Sequence, residues 1–207
     1  MADYGQLELR ILAHMTNCTG MIEAFKLGGD FHSRTALGMY PEIQKELDAG
    51  NVILEWDFSK GDPPAPLLKE KFSNERKKAK IMNFSIAYGK TVHGFSKDWG
   101  CSMEEAQNTV DLWYNDRPEV RAWQKRVQQV AVEQGWTQTL LGRYRSLTKH
   151  FVTALRQGQG KPNSIGHALR AAINTPIQGG AADVVIAAMV RLHRDDRLRE
   201  IGYKLLL

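Results

Sequence analysis

The sequence predicts an α/β (α+β) fold that is predominantly helical. Apolar residues recur at helical spacing over most of the chain, and helix start and stop signals bracket those runs. One short stretch, Trp136 to Leu147, is instead β-favouring and interrupted by Gly142.

From Leu7 to Leu27, Leu9, Leu12, Ala13, Met15, Met21, Ile22 and Phe25 lie at helical spacing, broken around Asn17-Cys18-Thr19-Gly20, so two short helices are expected. Gly28-Gly29-Asp30 ends them, and Asp30 caps a helix over Phe31 to Met39. Pro41 to Pro66 mixes a polar helix with the turn-forming Gly61-Asp62-Pro63-Pro64-Ala65-Pro66, which reads as a peripheral insertion. Leu67 to Ala87 is a long patterned segment that stops at Gly89. Ser102 caps a helix through Tyr114, with Glu104 and Glu105 in its first turn, and Pro118 opens another to about Glu133. Trp136 to Leu147 suits a hairpin, and Gln157 to Asn163 is a Gly- and Gln-rich loop. Ile165 to Leu198 is mostly helical, with an interruption expected at Pro176 or Gly179-Gly180. Tyr203 to Leu207 begins an apolar strand.

The chain has 207 residues, a formal net charge of +5 and 43% hydrophobic residues, with 25% charged. That composition excludes wholesale disorder, collagen and a coiled coil as descriptions of the whole. Cys18 and Cys101 are far apart and lack a partner at ligand spacing, so neither a disulfide scaffold nor a structural zinc site is expected. No apolar run approaches the roughly 20 residues that span a bilayer. Met1-Ala2-Asp3-Tyr4 opens no secretory or transit peptide.

The charge is uneven. Lys69, Lys71, Arg76, Lys77, Lys78 and Lys80 face only Glu70 and Glu75, while Gln134 to Ala182 contains no acid and six cations: Arg143, Arg145, Lys149, Arg156, Lys161 and Arg170. Two such stretches point to nucleic acid or nucleotide phosphate; the bland alternative for either alone is a solvated basic face.

Arg76, Lys80, Phe84 and Tyr88 recur every four residues and so share one slowly rotating helix face about 18 Å long. Cations at one end and aromatics at the other could hold a nucleoside triphosphate lengthwise. The competing reading is an amphipathic helix with core aromatics and solvated cations.

The pattern Arg76-x-x-x-Lys80-x-x-Asn83-Phe84-x-x-x-Tyr88-Gly89 resembles motif B of the family A DNA polymerases, typified by bacterial DNA polymerase I. Asp3-Tyr4-Gly5-Gln6-Leu7-Glu8-Leu9-Arg10 resembles motif A of that family, with Gly5 where Ser is more usual. Asp30-Phe31-His32-Ser33 is similar to the segment at the entry to the fingers, and Thr139 to Arg145 to the Gly-Arg-Arg-Arg loop, with Tyr144 replacing the middle Arg. Arg170-x-x-x-Asn174-x-Pro176-x-Gln178-Gly179 resembles the long palm helix, though Leu169 stands where Glu is common. His14 to Cys18, Val52 to Asp57 and Ala87 to Gly94 look most like the plant organellar branch.

The resemblance implies the fingers subdomain of a right-hand polymerase with an incomplete palm sheet: a palm segment at 1–28, fingers at 29–133 and a second palm segment at 134–207. It implies template-directed addition of dNTPs to a primer 3′ end, with two Mg²⁺ ions as cofactors and primer-template DNA as partner. No membrane or obligate protein partner is implied, and location in a mitochondrion or plastid is. Asp3 would hold both metals, with Tyr4 beside it, since nucleotidyl transfer needs a cation clamp of hard oxygen ligands; alone, Asp3 would read as a helix cap. Gln6 joins the nucleotide-binding set, and Glu8 with Tyr88 would form the gate against a ribose 2′-OH. Arg76 and Lys80 would bind the triphosphate, with Lys80 protonating the leaving pyrophosphate. His32 would lie near the β-phosphate. Phe84 would pack on the sugar and, lacking a hydroxyl, predict poor acceptance of dideoxynucleotides. Arg143, Arg170, Asn174 and Gln178 would contact primer-template, and Asp183 reads as a helix residue with a structural partner.

In this family the second metal-binding Asp lies in a His-Asp-Glu turn after the strand that Leu205-Leu206-Leu207 resembles, and no His-Asp pair occurs in the chain. The thumb and any exonuclease domain would precede Asp3. The expectation is a fragment inactive alone, with an exposed sheet edge and poor solubility. The alternatives are a phage-type single-subunit RNA polymerase, disfavoured by Asn83-Phe84 and Glu8, a non-catalytic nucleic-acid-binding module, which would need only the basic stretches, and a purely structural helical protein.

Overall fold

A computed structural model describes residues 4–28, 30–149, 151 and 162–204. The described residues are mostly helical with one two-stranded sheet, the expected α+β class. The chain divides into two compact units, Leu12–Lys125 and Met1–Ile11 with Arg126–Leu207. The boundaries fall within α1 (Leu7–Thr16) and α9 (Pro118–Gln134).

In the first unit, α2 (Thr19–Leu27) follows the expected break, where Asn17 adopts a left-handed φ of 51°. Asparagine tolerates that conformation better than most side chains do. Asp30 caps α3 (Phe31–Met39) by accepting the His32 backbone N–H at 3.2 Å. After α4 (Pro41–Asp48), the peripheral segment is held by one parallel bridge between Ile53 and Leu67 and by the Trp56 indole N–H, which donates to the Gly61 carbonyl at 2.8 Å.

The long patterned segment is two helices, α5 (Leu68–Lys71) and α6 (Ser73–Ala87), separated by Phe72 at φ −114°, ψ 45°. The bridge to Ile53 pins buried Leu67 and Leu68, whereas α6 is oriented by its own buried stripe of Ala79, Met82, Asn83, Ile86 and Ala87. Phe72 absorbs the change of direction. Thr91 caps α7 (Val92–Trp99), and Ser102 and Glu105 close a full capping box on α8 (Met103–Asn115). Packing of α3 against α6 and of α7 against α8 dominates this unit, whose fully buried side chains include Met21, Ile43, Met82, Ile86, Phe95 and Trp113.

In the second unit, β1 (Trp136–Gln138) and β2 (Tyr144–Ser146) form the expected hairpin, with Trp136 opposite Ser146 and Gln138 opposite Tyr144. Gly142 takes φ +88° in its turn, as a glycine can. The helices α10 (Pro162–Asn174) and α11 (Gly180–Arg194) are joined by a π-helical segment, Thr175–Gly179, and α12 (Asp196–Glu200) follows. The expected interruption is therefore a widening of the helix, which continues in αR conformation through Gly180. Pro176 supplies no N–H to the ladder, and the longer-range register accommodates the gap.

Gly179 and Gly180 let the hairpin approach this segment. A Cβ on Gly179 would overlap the Thr139 methyl, and one on Gly180 would sit 3.0 Å from Leu140 Cβ. Ala131, Leu147, Phe151, Ala168, Ala171 and Ala172 form the local core, with Val127 and Leu169 against it.

Three expectations are corrected. The glycine-rich loop does not extend to Asn163, because Pro162 and Asn163 already belong to α10, while residues 157–161 and Asp3 lie outside the described residues. Of the strand expected over Tyr203 to Leu207, Tyr203 and Lys204 are not in a strand and residues 205–207 lie outside the described residues. Joined through the π segment, Ile165–Arg194 is long and apolar enough, by length and composition alone, to cross a bilayer, which the run-length reading missed. It also carries buried Asp183, fixed by an ion pair to Arg143.

Candidate functional site

The row of residues expected on α6 falls along one edge of that helix in the first unit. Lys80 is exposed, whereas Arg76, Phe84 and Tyr88 are half-buried, so the aromatics are neither core nor fully solvated. The Phe84 and Tyr88 ring centroids lie 6.4 Å apart, and the His32 ring from α3 stands 5.7 Å from Phe84. Arg76 closes an ion pair with Asp30 through Nε, and its Nη2 donates to the other carboxylate oxygen at 3.1 Å. One carboxylate thereby caps α3 and fixes the guanidinium at the N-terminal end of the row.

The electrostatics follow from this crowding. Burial pushes the Asp30 carboxyl upward, but hydrogen bonds from Arg76 and Ser33, the Arg76 charge and the His32 backbone N–H outweigh it and leave the group below its ordinary value. Burial depresses His32 to about 4; Arg76 and Lys80 push the same way, and only Asp30 opposes. His32 is neutral at physiological pH.

Behind the row sits a buried polar network. Asn83 donates from Nδ2 toward His32 Nδ1 at 3.1 Å and to Thr35 Oγ1 at 3.0 Å, and its Oδ1 accepts the Trp113 indole N–H at 2.8 Å. Arg117 reaches Thr35 Oγ1 at 3.4 Å and lies 4.8 Å over the Trp113 ring. The far end of α6 is tied separately: Gln124 Nε2 donates to the Ile86 carbonyl at 2.9 Å, while its Oε1 accepts the Tyr114 hydroxyl at 2.6 Å.

The second unit holds the remaining candidates. Tyr4 is exposed and Glu8, in the first turn of α1, is half-buried. Gln6 adopts φ 58° ahead of α1, and its carbonyl accepts the Leu9 and Arg10 amides at 3.1 Å. Such a conformation costs a non-glycine residue roughly 1–2 kcal/mol and recurs at functional positions. Asp183, as expected, has a structural partner: it pairs with Arg143 Nε and accepts the Leu141 amide at 3.2 Å, while Arg143 Nη2 donates to the Gly179 carbonyl at 3.1 Å. Burial pushes the Asp183 carboxyl up, but hydrogen bonds from Thr139, Arg143 and Leu141 bring it below its ordinary value. Arg170 and Gln178 are exposed, and the buried Asn174 Oδ1 has no partner among the described residues. Arg145 spans from β2 to Thr175 Oγ1 at 3.0 Å.

Among the described residues no three His, Cys, Asp or Glu side chains group as metal ligands. Asp3, the carboxylate expected to bind metal, lies outside them.

Sequence reasoning missed the pairing of Asp30 with Arg76 and the roles of Asn83, Thr35, Trp113, Arg117 and Gln124. One signal was present: Asn83 is the polar residue on an otherwise apolar stripe, and a buried amide needs partners.

The family model of DNA polymerase family A matches residues 1–49 and 66–207, leaving out most of the peripheral segment. DNA polymerase I A, chloroplastic/mitochondrial, of Arabidopsis thaliana is 54% identical over 209 residues, covering 100% of this chain and 19% of that protein. The thermostable DNA polymerase I of Thermus aquaticus is 32% identical over 206 residues, covering 99% of this chain and 21% of that protein. The POL domain of Pol1 from M. smegmatis, solved in complex with DNA primer-template and dNTP, superposes with a TM-score of 0.71 at 30% identity, over 97% of this chain and 30% of that one. The chain thus spans about a fifth of the length of these curated relatives.

Proposed function

Because the chain belongs to DNA polymerase family A, we propose that it supplies the nucleotide-binding face and part of the DNA-binding surface of a DNA-directed DNA polymerase. Such a nucleotidyltransferase extends a primer 3′ end with dNTPs, on a template, in DNA replication or repair. The observation that carries this reading is the single row of Arg76, Lys80 and Phe84 on α6 and Tyr88 at its C-cap, with His32 set beside Phe84. Residues 29–133 are proposed as the fingers and 1–28 and 134–207 as palm segments; the compact units divide the chain at other positions, after Ile11 and after Lys125.

Each side chain acts within its own chemistry. The guanidinium of Arg76, oriented by Asp30, offers a planar fork that matches phosphate oxygens. Lys80, one turn on and exposed, adds a mobile point charge and can protonate the departing pyrophosphate. His32 donates to the β-phosphate without adding charge. Phe84 packs against the deoxyribose and Tyr88 excludes a 2′-hydroxyl; Gln6 and Glu8, on the other unit, are proposed as nucleotide-binding residues by the family resemblance. Asp3, with Tyr4 beside it, is the donor proposed for a divalent cation, Mg²⁺ by its preference for oxygen. That cation would neutralise charge developing on the attacking and leaving oxygens.

Arg143, Arg170, Asn174 and Gln178 are proposed to follow primer-template DNA. The unpartnered Oδ1 of Asn174 supports this, since a buried acceptor is normally satisfied by something. Arg143 plays a double part: Asp183 and Gly179 hold its inner edge, while the side chain stays 57% exposed. The chloroplastic/mitochondrial names of its plant relatives support an organellar location for this protein too.

The test is equilibrium binding of dNTPs and rNTPs to the chain. A dNTP should bind in preference to its rNTP, and Arg76→Ala and Lys80→Ala should each weaken it about tenfold, the worth of a charge-assisted hydrogen bond. Triphosphate affinity unchanged by both substitutions would refute the reading.

A further inference from the structure

A histidine offering a neutral imidazole can present one hydrogen-bond donor, and which nitrogen carries it depends on the partner of the other. The network behind His32 decides this by a chain of forced choices. The Trp113 indole nitrogen can only donate, and it meets Asn83 at 2.8 Å, so the atom facing it is the amide oxygen. The Asn83 Nδ2 group is thereby turned toward α3, where it donates to Thr35 Oγ1 at 3.0 Å and faces His32 Nδ1 at 3.1 Å. The Thr35 hydroxyl, whose proton can go to the Phe31 carbonyl at 3.0 Å or to Asn83 Oδ1 at 3.3 Å, accepts the Asn83 proton in either case. An NH₂ group facing Nδ1 requires a lone pair there. The ring proton is left on Nε2, which has no partner among the described residues.

We propose that Asn83, itself oriented by Trp113, is a positioning residue that fixes His32 as the Nε2–H tautomer, so that His32 presents one uncharged donor to the triphosphate. This rests on the nucleotide reading above. Asn83, Trp113 and Thr35 are fully buried and His32 is 4% exposed, so solvent has little scope to reorient the amide or exchange the ring's partner. The charged groups around the ring are Asp30 from its own turn and Arg76 and Lys80 from α6; Arg117 stands behind Thr35. With two cations already aimed at the phosphates, a neutral third donor adds direction without further self-repulsion.

The tautomer is read directly from long-range ¹H–¹⁵N spectra of the 207-residue chain, with no nucleotide present. The expected pattern is protonated Nε2 and unprotonated Nδ1, unchanged between pH 8 and 6. In Asn83→Asp, an acceptor replaces the donor facing Nδ1 while the other oxygen still receives Trp113. His32 should then protonate at Nδ1 and titrate at a higher pH than in the parent. Affinity for dATP supplies the functional arm. His32→Asn and His32→Ala should bind roughly tenfold more weakly than the parent, and His32→Gln, whose amide can place a neutral N–H near the Nε2 position, should recover part of that loss. Asn83→Asp should make dATP affinity pH-dependent, and that dependence should vanish in the His32→Gln background.

A parent spectrum with Nδ1 protonated overturns the proposal whatever the nucleotide affinity. A parent spectrum as expected, with dATP binding indifferent to every His32 substitution and to Asn83→Asp, overturns the positioning role. If Arg76→Ala and Lys80→Ala still weaken binding in that case, the nucleotide reading survives; if they do not, it falls as well.

Discussion

Asp30→Asn separates two duties that one carboxylate performs. The wild-type side chain caps α3 through the His32 amide and binds Arg76 through both oxygens. Asparagine caps a helix about as well as aspartate does, so the cap survives the substitution. What is lost is the negative charge facing a guanidinium, together with one acceptor. Two charge-assisted hydrogen bonds would be worth roughly 3–6 kcal/mol in full burial. The side chains of the pair are 31% and 18% exposed, and the amide oxygen keeps one bond, so the expected loss is about 1–3 kcal/mol. For a chain of this length that lowers Tm by roughly 2–12 °C. Asp30→Ala removes the cap too and should cost about 1 kcal/mol more. Thermal melts followed by circular dichroism give the order parent, Asn, Ala. The pH dependence fixes the cause. The folded-state pKa of Asp30 is depressed below its ordinary 3.8, so its contribution is complete above that value and disappears as pH falls through the lower, folded value. The gap between parent and Asp30→Asn should therefore be constant at neutral pH and close in acid below about pH 4. Equal melting temperatures for the parent and both variants at pH 7, or a gap unchanged at pH 3, would refute the reasoning.

The second palm-assigned segment yields three further expectations. Gly179→Ala drives a Cβ into the Thr139 methyl and should destabilise by roughly 1–3 kcal/mol, with much of the loss recovered in Gly179→Ala/Thr139→Ser, as a double-mutant melt would reveal. Asp183→Asn leaves the buried end of the clasp without charge and should lower stability by about 1–3 kcal/mol in denaturant titrations at pH 7, with the difference fading in acid because the Asp183 carboxyl is also held below its ordinary value. In salt titrations of primer-template binding, Arg170→Ala should reduce the slope of log K against log salt by about 0.9, the signature of one phosphate contact. Arg143→Ala should weaken binding and also lower the melting temperature, because the same guanidinium holds Asp183.

Most helices and the hairpin were legible because each is set by information close to it in the chain. Asp30, Ser102 and Pro118 announce helix starts, Gly89 a stop, and Gly142 the turn between β1 and β2, whereas α7 with its Thr91 cap was not anticipated. The four-residue row on α6 was legible for the same reason, since its geometry is that of one helix. The break at Phe72 was not: the preceding turn is tied to Ile53 by a bridge, a contact beyond the reach of any helical pattern. Nor was the π register of Thr175–Gly179: proline and glycine advertise a disturbance without saying whether the helix stops or widens.

The network around Asn83 stayed hidden for a different physical reason. Hydropathy sorts residues by preference for water, and a buried amide scores as an exception until its partners are known. Those partners are 51, 48 and 30 residues distant in sequence, at His32, Thr35 and Trp113. A contact between an amide and an indole also carries a direction, which apolar packing does not. Packing α3 and α8 against α6 would satisfy the hydrophobic pattern in more than one rotational setting. The donor-only indole and the two-sided amide accept far fewer. The polar interior of this unit therefore restricts what the apolar pattern leaves open, and it does so beside the ring that is proposed to meet the triphosphate. Stability and nucleotide recognition share side chains here, and they should separate most clearly in substitutions such as His32→Ala, which remove the ring's donor and leave Asn83, Thr35 and Trp113 in place.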